Sequence, residues 1–144
     1  MPRAESPMNR PPAVIGHFPF VERLRPLCRR LDVFELPGRM QPGDLPSSEI
    51  EAVVPAAEVV AITATTLLTR SLATVLAACS ASALTVMLGP STPLSPILWS
   101  CGIDVLCGVE VTDATTAMRC AAEGANLRQM DGLEKVVFRR PPQL

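Results

Sequence analysis

The chain has 144 residues, a length that fits one domain able to bury a core of its own. Its thirteen basic residues are scattered among fourteen acidic ones and the formal net charge is −1, which argues against a nucleic-acid or anionic-membrane partner. The five cysteines show no C-x-x-C spacing and lie in apolar stretches, a pattern typical of buried thiols in a reducing cytoplasm.

Two segments bear on where the protein resides. Residues 1–12 contain prolines and charges but no apolar core, which predicts a disordered tail and not a secretion signal. Residues 71–103 carry no charge and exceed the roughly 20 apolar residues that span a bilayer, but a glycine and three prolines interrupt them between 89 and 96. We therefore expect a cytoplasmic protein without a membrane helix, with its folded domain at 13–138 and a second short tail at 139–144.

Short apolar runs alternate with helical patterns along the chain, as they do in a parallel sheet with crossover helices. In chain order, the predicted strands are residues 13–16, 32–36, 59–63, 83–88 and 104–108, with 135–138 as an edge strand. This pattern predicts an α/β protein with a Rossmann-like three-layer sandwich and a mainly parallel, doubly wound sheet.

Helices are predicted between these strands. The first is predicted from about Phe20 to Arg30, where Pro26 would bend it or shift its start. A short helix is also expected to begin near Leu94. The predicted N-terminal caps of three other helices are side-chain hydroxyls, those of Ser48, Thr69 and Thr112.

The loops after the first four strands carry the candidate ligand contacts. In a doubly wound sheet, ligands bind beyond the carboxyl ends of the strands, where the strand order reverses. An imidazole there can donate, accept, bind a metal or move a proton, aromatic rings supply an apolar wall, and hydroxyls at a helix N-terminus can hold an anion. The candidate ligand-binding residues are His17, Phe18, Phe20, Glu35, Thr63, Thr65, Thr66, Ser91, Thr92 and Pro93.

Each of these assignments has a structural alternative. His17, the only histidine of the chain, either contacts a ligand or satisfies a backbone group, while Phe18 and Phe20 either face a ligand or pack under the first helix. The hydroxyls either bind an anion or cap helices, and capping is the commoner role of such a side chain.

Cofactors are constrained by the first turn. Glu35 follows Gly16 by nineteen residues, near the place where dinucleotide-binding folds hold an acid for ribose hydroxyls. The turn lacks G-x-G-x-x-G, so NAD and FAD are not expected, whereas an S-adenosylmethionine site stays open. One histidine and five dispersed cysteines do not supply the three or four ligands of a zinc site. Any metal would reach His17 inside an organic chelate.

Six segments carry a resemblance to a known family. They are, in order, VIGHFPFVERLR, DVFELPGRMQPGDLP, AEVVAITATTLLT, LGPSTPLSPILWSCGIDVLCG, VTDA and EGANLRQMDGLEKVVF. From about Val14 to Phe138 the chain resembles the C-terminal Rossmann-like domain of the putative heavy-metal chelation family. The resemblance implies that the rim residues named above, Glu35 apart, belong to a site in a cleft that a second domain, similar to the N-terminal domain of enolase, closes in longer members.

This resemblance also implies what could complete the site. A chain without the second domain is half of a two-chain protein, a lone paralogue, or a dimer that closes the cleft with its own copy. We therefore expect a homodimer or a partner chain that supplies the N-terminal domain, with apolar surface around Phe18, Phe20 and Pro93 at the interface.

Three classes of function remain open. The first is a module that binds a small planar or anionic ligand, a heavy-metal chelate included, without chemistry of its own. The second is an enzyme, such as a methyltransferase-like small-molecule transferase, with His17 as general acid or base. The third is a non-catalytic scaffold that acts through protein contacts. Because the rim offers only Glu35 besides His17 as a titrating group and no activated nucleophile, the composition favours binding.

Overall fold

The computed structural model describes residues 10–142. Most of the tail predicted at 1–12, and the last two residues of the tail predicted at 139–144, therefore lie outside the described residues. The strands are β1 (Ala13–Ile15), β2 (Asp32–Glu35), β3 (Leu45–Pro46), β4 (Val59–Thr63), β5 (Leu84–Leu88), β6 (Val105–Val111) and β7 (Leu133–Arg139).

The described strands form one sheet in the order β3-β2-β1-β4-β5-β6-β7. All neighbouring strands pair in parallel except β6 and β7, which are antiparallel. From β1 the chain proceeds outward to β2 and β3, and from β4 it proceeds the other way to β5 and β6. The strand order thus reverses between β1 and β4, which confirms the predicted doubly wound, mainly parallel sheet.

Helices cover both faces of this sheet. They are α1 (Val21–Leu24), α2 (Ile50–Val53), α3 (Leu72–Ala78), α4 (Ile97–Ser100) and α5 (Ala114–Ala122). Successive strand residues point to opposite faces, so Ile15 and Val14 belong to different cores. Ile15 packs in the larger core with buried side chains of α2, α3 and α4, whereas Val14 packs in the smaller one with Val21 of α1. None of the helices in residues 10–142 is both long and apolar enough to cross a membrane.

The first helix is shorter than the sequence predicts. The α-helical part of the predicted segment ends at Leu24, and the chain continues as a 3₁₀ turn over Arg25–Leu27. Pro26 lies in that turn and has no N–H to donate to an α-helical partner, so the α-helix stops before it.

Two of the predicted helix caps are wrong and a third is displaced. Ser48 lies inside a 3₁₀ turn, and neither this turn nor α2 has a side-chain cap. The cap of α5 is Asp113 rather than Thr112, because the Asp113 carboxylate accepts the Thr116 N–H at 3.1 Å. Helix α3 begins after Ser71 without a side-chain cap, and the Thr69 hydroxyl donates instead to the carbonyl of Thr65.

The two-residue strand β3 is absent from the sequence prediction. It pairs Leu45 with Phe34 and Pro46 with Glu35 at the edge of the sheet. The surrounding sequence is rich in proline and glycine and therefore reads as a loop, and a proline is tolerated at such an edge because one side of the strand has no ladder to complete. This short strand fixes the position of Asp44, which comes directly before it.

Candidate functional site

A cavity of about 430 Å³ lies beyond the carboxyl ends of β1, β2 and β4, where the strand order reverses. Its apolar lining includes Ile15, Phe18, Phe34, Leu36, Ile50 and Val75. Its polar lining consists of His17, Glu35, Arg39, Ser47, Thr63, Thr65, Thr66, Thr69, Ser71 and Thr74. The cavity thus combines an apolar floor with hydroxyls, an imidazole and charges of both signs.

Gly16 allows β1 and β4 to approach each other at the bottom of this cavity. Its N–H donates to the carbonyl of Phe34 at 2.8 Å, and its φ is +99°, a conformation that favours glycine. A Cβ at this position would lie 2.9 Å from Cγ2 of Thr63. Both the backbone conformation and the close approach therefore require a glycine where the chain leaves β1.

The carboxylate of Glu35 joins the end of β2 to the loop after β1. Oε2 accepts the backbone N–H of His17 at 3.0 Å, and Oε1 accepts the N–H of Leu36 at 2.7 Å. A carboxylate has about four acceptor positions, so two remain for a ligand in the cavity. Glu35 holds the backbone of His17 in place and also contributes negative charge to the site.

A buried carboxylate holds the ring of His17. Nδ1 of His17 lies 2.9 Å from both Oδ1 and Oδ2 of Asp44, whose side chain is fully buried. Oδ2 of Asp44 also accepts the N–H of Gln41 at 2.9 Å, and Nη2 of Arg25 lies 3.5 Å from Oδ1. The imidazole is thus fixed by one edge, and no group of residues 10–142 hydrogen-bonds to its other nitrogen, Nε2.

The threonines after β4 are largely engaged with their own backbone. Thr63 caps the 3₁₀ turn Ala64–Thr66, and its Oγ1 lies 3.0 Å from Oγ1 of Thr65. The buried hydroxyl of Thr66 donates to the carbonyl of Thr63 at 2.8 Å. Thr65 is exposed, so its hydroxyl is the one of these three that a ligand reaches most readily.

The structure brings six of the predicted contacts to the cavity and places the other four elsewhere. His17, Phe18, Glu35 and the three threonines line it, whereas Phe20 does not. The Phe20 ring stacks on Phe18 with the centroids 5.0 Å apart, and Phe18 also packs against the smaller core. The remaining three predicted contacts, Ser91, Thr92 and Pro93, do not line the cavity.

Ser91, Thr92 and Pro93 belong to a loop that packs onto β6. A Cβ at Gly108 of β6 would lie 3.1 Å from Cδ2 of Leu94 and 3.2 Å from the carbonyl oxygen of Thr92. The Thr92 hydroxyl is buried and has no hydrogen-bond partner within residues 10–142. The loop is therefore closed against the sheet at this point.

Sequence reasoning missed Asp44 behind the imidazole, and it also missed five polar residues of the lining, namely Arg39, Ser47, Thr69, Ser71 and Thr74. Asp44 lies 27 positions from His17, in a loop whose prolines and glycines predict no fixed structure. Nothing in its neighbourhood links it to the histidine. Only the pairing of β3 with β2 brings the carboxylate under the imidazole.

The described residues do not fit a bare metal ion. Within residues 10–142, no three His, Cys, Asp or Glu side chains converge as ligands. Burial is the main cause that raises the pKa of the Cys79 and Cys107 thiols, which keeps them protonated at neutral pH, and the thiolate is the form that binds metals. Nε2 of His17 is one donor, and one donor does not make a site for a free heavy-metal ion.

Comparison with known proteins agrees with this fold. Among the solved structures that resemble the chain, two are described as proteins of unknown function from the DUF364 family. One, from Desulfitobacterium hafniense DCB-2, is 30% identical with a TM-score of 0.78, and the match covers 91% of this chain. The other, from Pyrococcus horikoshii, is 20% identical with a TM-score of 0.80 over 91% of this chain, a likeness that shows the fold alone.

The chain spans about half the length of these solved relatives, 53% of the first and 54% of the second. Among proteins with curated descriptions, none matches it. A sequence model of DUF364, described as putative heavy-metal chelation, matches residues 7–140, nearly the whole chain. The resemblance seen in the sequence is thereby confirmed, and the chain belongs to the putative heavy-metal chelation family.

Proposed function

We propose that the cavity at the ends of β1, β2 and β4 binds a small planar or oxygen-rich molecule. The observation that carries this proposal is the lining of the cavity, in which a fixed imidazole and a fixed carboxylate stand above an apolar floor. The volume of about 430 Å³ falls within the range of about 300–1,000 Å³ usual for small-molecule sites. The floor suits a flat apolar part of the ligand, and the polar groups suit its functional end.

The charges favour one orientation of the ligand. Glu35 stands beside His17, so an anionic group is better accepted by Arg39 or by the exposed hydroxyl of Thr65, which also line the cavity. A hydroxyl or N–H of the ligand suits Glu35, whose remaining acceptor positions need a donor. The ligand class is therefore one that carries both donors and acceptors, such as a hydroxylated ring or a carboxylated one.

A heavy metal fits this proposal as cargo inside an organic chelate. The chelate would supply most of the metal's ligands, and Nε2 of His17 would add one from the protein. Support comes from the description of the family and from the absence of a hydrogen-bond partner for Nε2 among the described residues.

The decisive experiment identifies the molecule that copurifies with the protein. Protein purified under native conditions would be denatured, and the released small molecules identified by mass spectrometry. Thr65→Phe would fill the cavity with an aromatic ring, whereas Thr115→Phe places the same ring on an exposed position of α5, away from the cavity.

We expect the wild type and Thr115→Phe to carry the same molecule in similar amounts, and Thr65→Phe to lose most of it. Equal occupancy in all three proteins would contradict binding in this cavity. Urea unfolding of the two variants is the control for folding, since both introduce an aromatic ring at an exposed threonine.

Assembly is a separate proposal. The expected apolar interface around Phe18 and Phe20 rests on two side chains that are partly buried, whereas Pro93 is exposed. We propose that a second copy or a partner chain covers the mouth of the cavity, and the partly buried, stacked rings of Phe18 and Phe20 support an apolar contact there. Light scattering that returns a monomer over a wide concentration range, with no partner recovered, would contradict it.

A further inference from the structure

We propose that Asp44 is a positioning residue that holds neutral His17 as the Nδ1–H tautomer, so that Nε2 meets the ligand as an electron-pair donor. The statement about the tautomer stands on the geometry of the two side chains alone. The statement about the ligand rests on the proposed binding function of the cavity.

The proton on Nδ1 follows from the contacts of Asp44. Nδ1 lies 2.9 Å from both carboxylate oxygens, and the other groups that reach this carboxylate are the N–H of Gln41 and the guanidinium of Arg25. All of these partners can be donors, so the carboxylate acts throughout as an acceptor. A neutral ring with its lone pair on Nδ1 would place that lone pair against those of both oxygens. The neutral imidazole therefore carries its proton on Nδ1 and its lone pair on Nε2.

The two partners have little freedom to rearrange. The Asp44 side chain is fully buried and the His17 side chain is 7% exposed. On one side, Asp44 precedes β3, whose residue Leu45 pairs with Phe34 of β2. On the other side, the backbone N–H of His17 donates to Glu35, which follows Phe34 in the same strand β2. Because β2 anchors both ends of the contact, the distance between ring and carboxylate is set by the sheet.

The other edge of the ring is the part that can meet a ligand. His17 lines the cavity but Asp44 does not, so the Nδ1 edge is turned away from it. Nε2 has no hydrogen-bond partner within residues 10–142, and it belongs to a side chain that lines the cavity, so it is the nitrogen left for a ligand. The charged groups that face this ring are Asp44 and Arg25 at the Nδ1 edge, and Glu35 and Arg39 around the cavity.

This tautomer selects the chemistry of the ligand. A lone pair on Nε2 takes an electron-pair acceptor, either the N–H or O–H of an organic molecule or a metal with an open coordination position. The opposite tautomer would present an N–H there and take an anion instead. The carboxylate–imidazole arrangement is the one that orients histidine toward metals and raises its basicity in other proteins.

The tautomer can be measured without any ligand, because His17 is the only histidine of the chain. Protein without a histidine tag, labelled with ¹⁵N-histidine, would be studied by long-range ¹H–¹⁵N correlation at a pH where the ring is neutral. We expect a protonated Nδ1 and an unprotonated Nε2 in the wild type. In Asp44→Asn we expect a mixture of tautomers, since an amide can both donate to and accept from Nδ1.

The matched control is Asp32→Asn, which alters another buried aspartate, one that pairs with Arg30 at 2.8 Å at the far end of β2. This variant should leave the tautomer of His17 unchanged. A protonated Nε2 in the neutral wild type would overturn the proposal, and so would a tautomer unaffected by Asp44→Asn. The wild-type spectrum stands even if Asp44→Asn fails to fold.

Two probes then separate the ligand classes at the same pH. Zinc iminodiacetate offers an open coordination position, and inorganic phosphate offers an anion. We expect the zinc complex to shift the Nε2 resonance of the wild type, whereas phosphate leaves it unshifted. The zinc complex should bind at least tenfold more weakly to Asp44→Asn than to the wild type, and Thr65→Phe should block its binding. A phosphate-induced shift of Nε2 would overturn the assignment of ligand class. An Asp44-dependent Nδ1–H tautomer without a response to the zinc complex would support the positioning role and count against a metal chelate as the ligand of the cavity, whereas loss of the copurified molecule from Thr65→Phe tests the binding function separately.

Discussion

The loops at the carboxyl ends of the strands form two halves, which differ in whether their buried polar groups have hydrogen-bond partners. The cavity half, formed by the loops after β1, β2 and β4, encloses a cavity. Its buried Asp44 has three partners, which are the ring of His17, the backbone N–H of Gln41 and the guanidinium of Arg25. In the packed half, formed by the loops after β5 and β6, Thr92 and Leu94 lie close against Gly108 of β6, and the hydroxyl of Thr92 is buried without a partner among residues 10–142. The half with satisfied polar groups is the half that leaves space for a ligand.

Topology explains this difference. The loops after β1 and β4 lead to opposite directions along the sheet, so a crevice remains between them. The loops after β4, β5 and β6 lead the same way, and successive connections pack side by side. A site on the cavity half must hold its polar residues against an open space, which requires hydrogen bonds from neighbouring segments.

Among substitutions that test this difference, Asp44→Ala in the cavity half is expected to lower the free energy of unfolding most. The change removes the acceptor of His17, Gln41 and Arg25 at once. Because the ring of His17, 7% exposed, would lose its hydrogen-bond partner inside the protein, and Gln41 and Arg25 would each lose one as well, the free energy of unfolding should fall by about 2–4 kcal/mol. Urea unfolding measures it, with Asp131→Ala as the control, because Asp131 is an exposed aspartate that lies outside this network. A loss no greater than that of the control would show that the buried network adds no stability.

A smaller loss is expected at the glycine between β1 and β4. Gly16→Ala combines an unfavourable φ of +99° with a Cβ only 2.9 Å from Thr63. Gly38→Ala is a matched control, since Gly38 has a φ of +87° but no neighbouring atom within 4 Å of an added Cβ. Gly16→Ala should therefore destabilise the protein by about 1–3 kcal/mol more than the control, as overpacking usually does. Equal losses would mean that the contact with Thr63 relaxes freely.

Two buried threonines test the halves against each other directly. Thr66 of the cavity half donates to the carbonyl of Thr63 at 2.8 Å, whereas Thr92 of the packed half has no described partner. Valine has nearly the shape of threonine without the hydroxyl. Thr66→Val should lower the free energy of unfolding by about 1 kcal/mol, and Thr92→Val should leave it unchanged or raise it by about 1 kcal/mol. Equal losses in urea unfolding would show that Thr92 does have a partner.

The fold could be read from the sequence because its signal is local. Runs such as VVAIT (Val59–Thr63) and the alternation of strands with helical patterns depend on neighbouring residues only, and the structure confirms them. The rule that ligands bind beyond strand ends also led to His17 and Glu35, which line the cavity. It led equally to Ser91, because sequence periodicity does not show between which strands the order reverses.

Contacts between distant segments could not be read in the same way. The pairing of His17 with Asp44 depends on β3, a two-residue strand that ends in a proline and has no periodicity to detect. The predictions of the helix caps were wrong for a related reason. Thr112 and Asp113 are both plausible caps by residue type, and the choice between them depends on the backbone conformation that follows β6.

The smallest expected effect concerns Asp113, the exposed carboxylate of the packed half. Its hydrogen bonds from Thr116, first from the hydroxyl at 2.6 Å and then from the backbone N–H at 3.1 Å, lower its pKa below the ordinary value of 3.8. Because the folded pKa is the lower one, the contribution of this group to stability is present above the unfolded value and is lost as the pH falls through the folded value. Asp113→Asn keeps a good capping residue but cannot titrate. The free energy of unfolding, measured between pH 5 and pH 2, should therefore fall less steeply below pH 3.8 in Asp113→Asn than in the wild type. The difference in slope should correspond to at most one proton. Identical slopes in the two proteins would show that the cap bonds do not distinguish the charged carboxylate from the neutral one.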